Sequence, residues 1–214
     1  MTPVEIVEYA RQQYNAVGDT FFSDAELYRH IFQAEMDLAI KAGCIKNIYT
    51  TTTVASTQEY SRPANAIVLK RITYNGVKLA PISMREDDAV TLSNQTTTAT
   101  GSPAYYFEWG ASVFLRPIPD TALTLKIWSV DKPQTVSATS TLEVPDRYHY
   151  AIADYLTWRI ALKDRNTALA AEYRTAWDRA LLEAVKHERQ RLRGDQFYGI
   201  QDNEQLAETV IGSI

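Results

Sequence analysis

The sequence predicts an α+β fold: a four-helix bundle made from N- and C-terminal helix pairs, with an antiparallel β-rich domain inserted between them. Amphipathic helical periodicity is confined to the two ends of the 214-residue chain, and strand-like alternation fills one contiguous block between them. No alternating βαβ pattern exists from which a parallel sheet could be wound. Neither helix pair can bury its apolar stripes alone, so the pairs are expected to pack on one another. The implied boundaries are 1–43 and 145–193 for the bundle, 44–144 for the β-domain and 194–214 for a C-terminal arm.

Thr2-Pro3-Val4-Glu5 reads as a capping box: a hydroxyl cap, proline at the first helical position, and a glutamate that returns to the cap N–H. Val4, Ile6, Val7, Ala10 and Tyr14 fall mostly on one face, so a short helix runs to about Tyr14. Asn15 to Phe22 is a connection containing Gly18. Ser23-Asp24-Ala25-Glu26 reads as a second capping box. The helix after it carries a broad apolar set, Leu27, Ile31, Met36, Leu38, Ala39 and Ile40, and Gly43 stops it.

From Cys44 the period changes. Threonine-rich Ile48 to Val54 and the alternating Thr57 to Arg62 predict strands. Ile67, Leu69 and Ile72 lead to Asn75-Gly76, a hairpin turn from which Val77 to Ile82 returns. Ser83 to Asp88 fits a single helical turn, and Thr91 to Thr100 an exposed loop. Tyr105, Phe107 and Trp109 alternate with Tyr106 and Glu108, Gly110-Ala111 reverses the chain, and Ser112 to Leu115 returns until Pro117 and Pro119 end the pairing. Leu123, Leu125 and Ile127 then predict a third strand in meander order. Gln134 to Thr141 is another polar segment.

Pro145 starts the second helical region, because it restricts Val144 before it. Ala151, Ile152, Tyr155, Leu156, Ile160 and Ala161 form an apolar stripe, broken at Asn166-Thr167. The last long helix runs from about Ala168 to Arg191, with Leu169, Ala170, Tyr173, Ala176, Trp177, Ala180, Leu181 and Val185 facing inward. Its end, Arg189 to Gly194, sets cations at the negative pole of the helix dipole.

Composition excludes whole classes. With 45% hydrophobic and 22% charged residues the chain is an ordinary globular one. No apolar run approaches about 18 residues, so no membrane span is expected, and the N-terminus lacks the apolar stretch of a signal peptide. The chain is expected to work in a cytoplasm or in a particle assembled there. Cys44 is the sole cysteine, which rules out an intrachain disulfide or a cysteine metal cluster. His30, His149 and His187 lack ligand spacing and read as surface or interface imidazoles. Asp19, Asp87 and Asp88 read as solvated turn and cap acids. Phosphate-binding glycine loops, zinc-protease motifs and nucleophile elbows are all absent from the sequence. The 13 tyrosines suit core and interface packing. The reading is therefore a non-enzyme with no cofactor and no metal.

The net charge of −4 hides an asymmetry. Met1 to Thr157 holds 17 acids and 13 bases, Trp158 to Arg193 holds 5 acids and 9 bases, and Gly194 to Ile214 holds 4 acids and no base. A basic helical end followed by an acidic arm allows electrostatic docking between copies or onto a polyanion.

Three stretches, Gly101 to Tyr106, Phe114 to Asp120 and Leu142 to His149, resemble the head–tail adaptor proteins of tailed bacteriophages, also called gatekeeper or tail tubular proteins in short-tailed phages. The order of helix pair, β insertion and helix pair is similar as well, from about Thr20 to Arg193. The resemblance implies a structural virion protein at the head–tail junction, assembled in the host cytoplasm. It implies a homo-oligomeric ring, usually of twelve copies, between the portal protein and the next tail component, a nozzle or tail terminator. The bundle would form the ring, the β-domain would face the tail, and the genome would pass through the channel in transient, non-specific contact, with no membrane involved.

A ring of identical subunits needs two different faces per copy, which the unmatched charge blocks supply. Phe197, Tyr198 and Ile200 are apolar but have no partner element in their own sequence, so they are the candidate portal-binding residues. Arg189, Arg191 and Arg193 are the candidate channel-lining residues, sliding along phosphates without reading bases. Charged helix ends are commonplace, so the favoured reading of the same arginines is as partners of acids on a neighbouring subunit, or as solvated charges. Thr91 to Thr100 and Gln134 to Thr141 are the loops expected at the tail-facing end. The alternative function is a carbohydrate- or receptor-binding module of a tail or baseplate protein, resting on Trp109, Trp128 and the surrounding tyrosines.

Overall fold

The computed structural model describes residues 1–18, 21–87 and 99–194, with side chains as far as Gln190. The protein is a mixed α+β molecule in which two apolar cores form, one among helices and one between sheets.

Helix α1 spans Pro3–Gln13 and is capped as its sequence requires: the Thr2 hydroxyl accepts the Glu5 N–H at 3.3 Å and the Glu5 carboxylate accepts the Thr2 N–H at 2.8 Å. Helix α2, Asp24–Ala42, lacks the second box. Ser23 makes no side-chain cap bond: the Glu26 N–H that its hydroxyl would take goes to the Ser23 carbonyl at 3.0 Å, and the Glu26 carboxylate that would return to the cap takes Lys163 Nζ at 2.6 Å. Gly43 ends α2 with φ of 67°, the left-handed turn that a glycine permits. The buried face of α2 is Leu27, Ile31, Ala34, Glu35, Leu38 and Ala39. Ile40, expected inside, is exposed, since it lies one helical step past that stripe.

A 3-10 turn over Asp146–Tyr148 leads into α3, His149–Lys163, and α4 follows over Thr167–Gly194. Ala170, Trp177, Leu181 and Ala184 are the buried positions of α4, with Leu169, Tyr173, Ala176, Ala180 and Val185 half-buried beside them. Helices from both ends of the chain pack on one another: α3 touches α1, α2 and α4, and α2 touches α4. Ile6, Ile31, Leu38, Ile152, Leu156 and Trp177 lie in the core they share.

The strands are β1 (Lys46–Thr52), β2 (Glu59–Ser61), β3 (Ala66–Tyr74), β4 (Val77–Lys78), β5 (Ala80–Pro81), β6 (Thr100–Gly101), β7 (Tyr105–Trp109), β8 (Ser112–Arg116), β9 (Ile118–Pro119) and β10 (Thr124–Asp131). The first sheet has the order β1-β10-β3-β4 and is antiparallel throughout. The second has the order β2-β8-β7-β5, antiparallel except for the short parallel pair β5/β7. A two-residue parallel pair, β6/β9, completes the set.

The β7–β8 hairpin and the Asn75-Gly76 turn lie where the sequence puts them, the latter with φ of 47° and 82°. The meander is wrong. Pro117 and Pro119 cannot donate to a ladder, so the chain leaves β8, and β10 pairs with β1 and β3 in the other sheet. The return from Asn75-Gly76 is likewise split, β4 staying in the first sheet and β5 joining the second. Leu125 and Ile127 of β10 meet Val113 and Leu115 of β8 across the layers rather than along one sheet.

Candidate functional site

Buried charge gathers where helices meet sheets. Glu188, near the end of α4, is 1% exposed; its carboxylate takes Lys46 Nζ at 2.7 Å and Arg147 Nη2 at 2.6 Å, and accepts the Tyr148 hydroxyl at 3.3 Å. Lys46 opens β1 and Arg147 sits in the 3-10 turn before α3, so a single carboxylate ties α4 to both. Glu35 on α2 is 1% exposed and accepts the N–H groups of Glu143 (3.0 Å) and Val144 (3.3 Å). Burial pushes the Glu35 carboxyl from its usual 4.5 up to about 7, against the pull of those two N–H donors. Asp131, ending β10, accepts hydrogen bonds from the Tyr49 and Ser129 hydroxyls and from the Asn47 amide.

Asp131 borders a groove of about 480 Å³ lined also by Cys44, Lys46, Asn47, Lys132 and Glu143 among others. Burial, reinforced by the charge of Glu188, raises the Cys44 thiol to about 11, so it stays protonated. His149 is buried rather than on the surface: its Nε2 lies 3.0 Å from the Val144 carbonyl, and burial lowers its pKa below the usual 6.5. Among the described residues no group of three or more His, Cys, Asp or Glu is placed to hold a metal. The carboxylates at this seam are occupied by donors, which couples one element to another.

Asp87 is also not the solvated acid expected. It is buried and paired with Arg116 in a two-pronged contact, Nε to Oδ1 at 2.7 Å and Nη2 to Oδ2 at 2.8 Å, locking the turn after β5 to the end of β8. Nothing in the local sequence pairs residues 29 positions apart. Asp19 and Asp88 lie outside the described residues.

Of the candidate channel-lining residues, Arg189 is exposed on α4, directly after Glu188. The side chains of Arg191 and Arg193 lie outside the described residues, as do the candidate portal-binding residues Phe197, Tyr198 and Ile200 and most of the Thr91 to Thr100 loop. Gln134 to Thr141 is described, and most of it is exposed. Trp109 is 62% exposed at the tip of the β7–β8 hairpin, whereas Trp128 is half-buried on the other sheet beneath Arg71, whose guanidinium lies 5.1 Å from the ring centre. The two tryptophans therefore do not share a strand pair or a sheet.

A family model described as SU10 adaptor protein matches residues 1–198. The chain belongs to that family. This agrees with the resemblance to phage head–tail adaptors and makes the protein a structural adaptor of a bacteriophage virion. No curated protein matches this adaptor. No helix among its described residues is long and apolar enough to cross a membrane. For an adaptor the working parts are surfaces. Tyr150 and Leu162 on α3, Leu182 on α4, Ile40 on α2 and Val17 after α1 are exposed apolar side chains on the helical part.

Proposed function

We propose that the adaptor forms a homo-oligomeric ring, of twelve copies, between the portal and the next tail component, and that the genome passes through the ring. Family membership over 1–198 carries this reading, together with helices that close a core and still expose Tyr150, Leu162 and Leu182. Apolar side chains of this size on a finished helical layer are the material of a subunit contact. In this reading the four helices act as one bundle, residues 1–43 and 145–193, and build the ring. The β-domain, 44–144, faces the tail with the Gln134 to Thr141 loop, and the arm from 194 docks Phe197, Tyr198 and Ile200 on the portal. Assembly takes place in the host cytoplasm. The receptor-binding alternative calls for Trp109 and Trp128 on one platform, and their separation between two sheets favours the adaptor.

Light scattering of the purified chain, alone and with a portal ring, tests the proposal. A small species that joins portal in fixed stoichiometry supports it; a monomer indifferent to portal sinks it. Truncation after Gly194 is expected to abolish portal binding while leaving the helical circular dichroism intact.

A further inference from the structure

The outer face of the first sheet is cationic, and nothing in the ring reading assigns it a role. Directly opposed residues share a face, so Thr50, Lys126, Thr73 and Lys78 form one cross-strand row, and Ile48, Trp128 and Arg71 form the next. Thr52 and Thr124 continue the face beyond them. These rows hold three cations and no acid. Arg71, Lys78 and Lys126 are exposed, and none of them makes an ion pair among the described residues. A groove of about 490 Å³ crosses the face, lined by Arg71, Thr73, Thr124, Lys126 and Trp128 among others. In a chain of net charge −4, three unopposed cations on one flat surface are a local exception.

We propose that this face contacts the phosphate backbone of duplex DNA. The proposal rests on the reading that the ring encloses the genome path, and it moves the DNA contact from the arginines of α4 to the sheet. Two strand spacings separate Lys78 from Lys126, roughly 10 Å, and Arg71 lies one row away, roughly 7 Å along the strand. Long cationic side chains at such intervals follow a phosphate chain, and the exposed hydroxyls of Thr50, Thr52 and Thr124 are donors of the kind that bond phosphate oxygens. A protein partner would need a desolvated apolar centre, but Trp128 is covered by Arg71 and only Ile48 remains. Non-base-reading contact is also what lets a duplex slide.

The test is binding of the full chain to a duplex of about 30 base pairs by fluorescence anisotropy between about 50 and about 200 mM salt, where three neutralised phosphates give a log–log slope of about −2.7 and an affinity loss of about fortyfold. Each of Arg71→Gln, Lys78→Gln and Lys126→Gln should reduce the slope by about one, and the triple variant should flatten it. Circular dichroism verifies that the triple variant is folded, and the three single variants give an independent reading if it is not. A folded triple variant that keeps the wild-type slope overturns the proposal. So does wild-type protein that fails to bind DNA at the lowest salt, or a slope abolished by Arg189→Gln alone. Co-assembly with portal, measured on the same triple variant, should match wild type. A failure of wild-type protein to join portal would instead strike at the ring reading and leave the DNA result standing.

Discussion

Replacing Glu188 by Gln tests whether the seam between helices and sheets is held by charge. The carboxylate is 1% exposed, but its partners Lys46 and Arg147 have side chains 39% and 40% exposed. When the charge is removed those cations regain water, so the full penalty of about 3–5 kcal/mol for breaking a buried pair does not apply. Gln offers one acceptor oxygen where Lys46 and Arg147 use two, so one charged hydrogen bond, worth about 1.5–3 kcal/mol, is lost with an amide N–H2 turned toward its cation, and the other falls to about 1 kcal/mol. The expected cost is about 3 kcal/mol, which in a chain of this size lowers Tm by about 6–12 °C. Urea unfolding near neutral pH, followed by helical circular dichroism, should show a lower midpoint at unchanged m. Asp178→Asn is the control. It breaks a pair with Arg174 at 3.8 Å in which both side chains are over half exposed, and it should cost no more than about 0.5 kcal/mol. Equal small shifts for the two variants would refute the argument.

Three further outcomes follow from the same structure. The folded-state pKa of Glu35, about 7, lies above its usual 4.5, so the folded state binds the extra proton between those values and stability falls as pH rises through that window. Glu35→Gln, which keeps an oxygen acceptor, should remove that contribution, seen as an unfolding midpoint that falls less than that of wild type between the two pH limits. Gly43→Ala meets only Val130 at an ordinary 3.6 Å but forces a side-chain-bearing residue to φ of 67°, so it should cost about 1 kcal/mol by urea unfolding, without a change in fold. Leu162→Glu and Leu182→Glu change exposed positions and should shift stability by no more than about 0.5 kcal/mol, yet light scattering should show the portal-templated complex lost.

The elements were legible wherever a local physical cause sets them. The Thr2–Glu5 box, the stop at Gly43, the Asn75-Gly76 turn and the β7–β8 hairpin each depend on residues within a few positions of one another, and each is present. What sequence could not supply was pairing at a distance. Alternation in β10 shows which residues face inward but not which sheet the strand joins, because the same face suits β8 or β1 and β3. The solvated reading of Asp87 failed because Arg116 lies 29 residues away, and the return half of the second capping box failed because Lys163, 137 residues from Glu26, takes its glutamate. Glu35 and Glu188 interrupt apolar stripes as ordinary surface acids would; only the structure shows that they lie on the buried faces of their helices. Of the candidate site residues, Arg189 is the one whose side chain the structure describes, and it brought no signal of the sheet face beside Lys46, whose cations are scattered over 56 positions from Arg71 to Lys126.

The polar seam suits the ring proposed above. Each apolar core closes on its own, and packing of that kind is permissive about angle, whereas Glu188 with Lys46 and Arg147, and Glu35 with two backbone N–H groups, are directional contacts satisfied in one arrangement. Replacing such contacts by apolar side chains often costs nothing in stability, so stability alone does not account for them. Ring closure does. In a heterologous ring the rotation from one copy to the next must close, and an angular error within the subunit repeats at every contact until the ends no longer meet. A subunit whose helices make the ring while its sheets face the channel or the tail therefore gains from a seam that fixes orientation, even where an apolar one would hold as firmly.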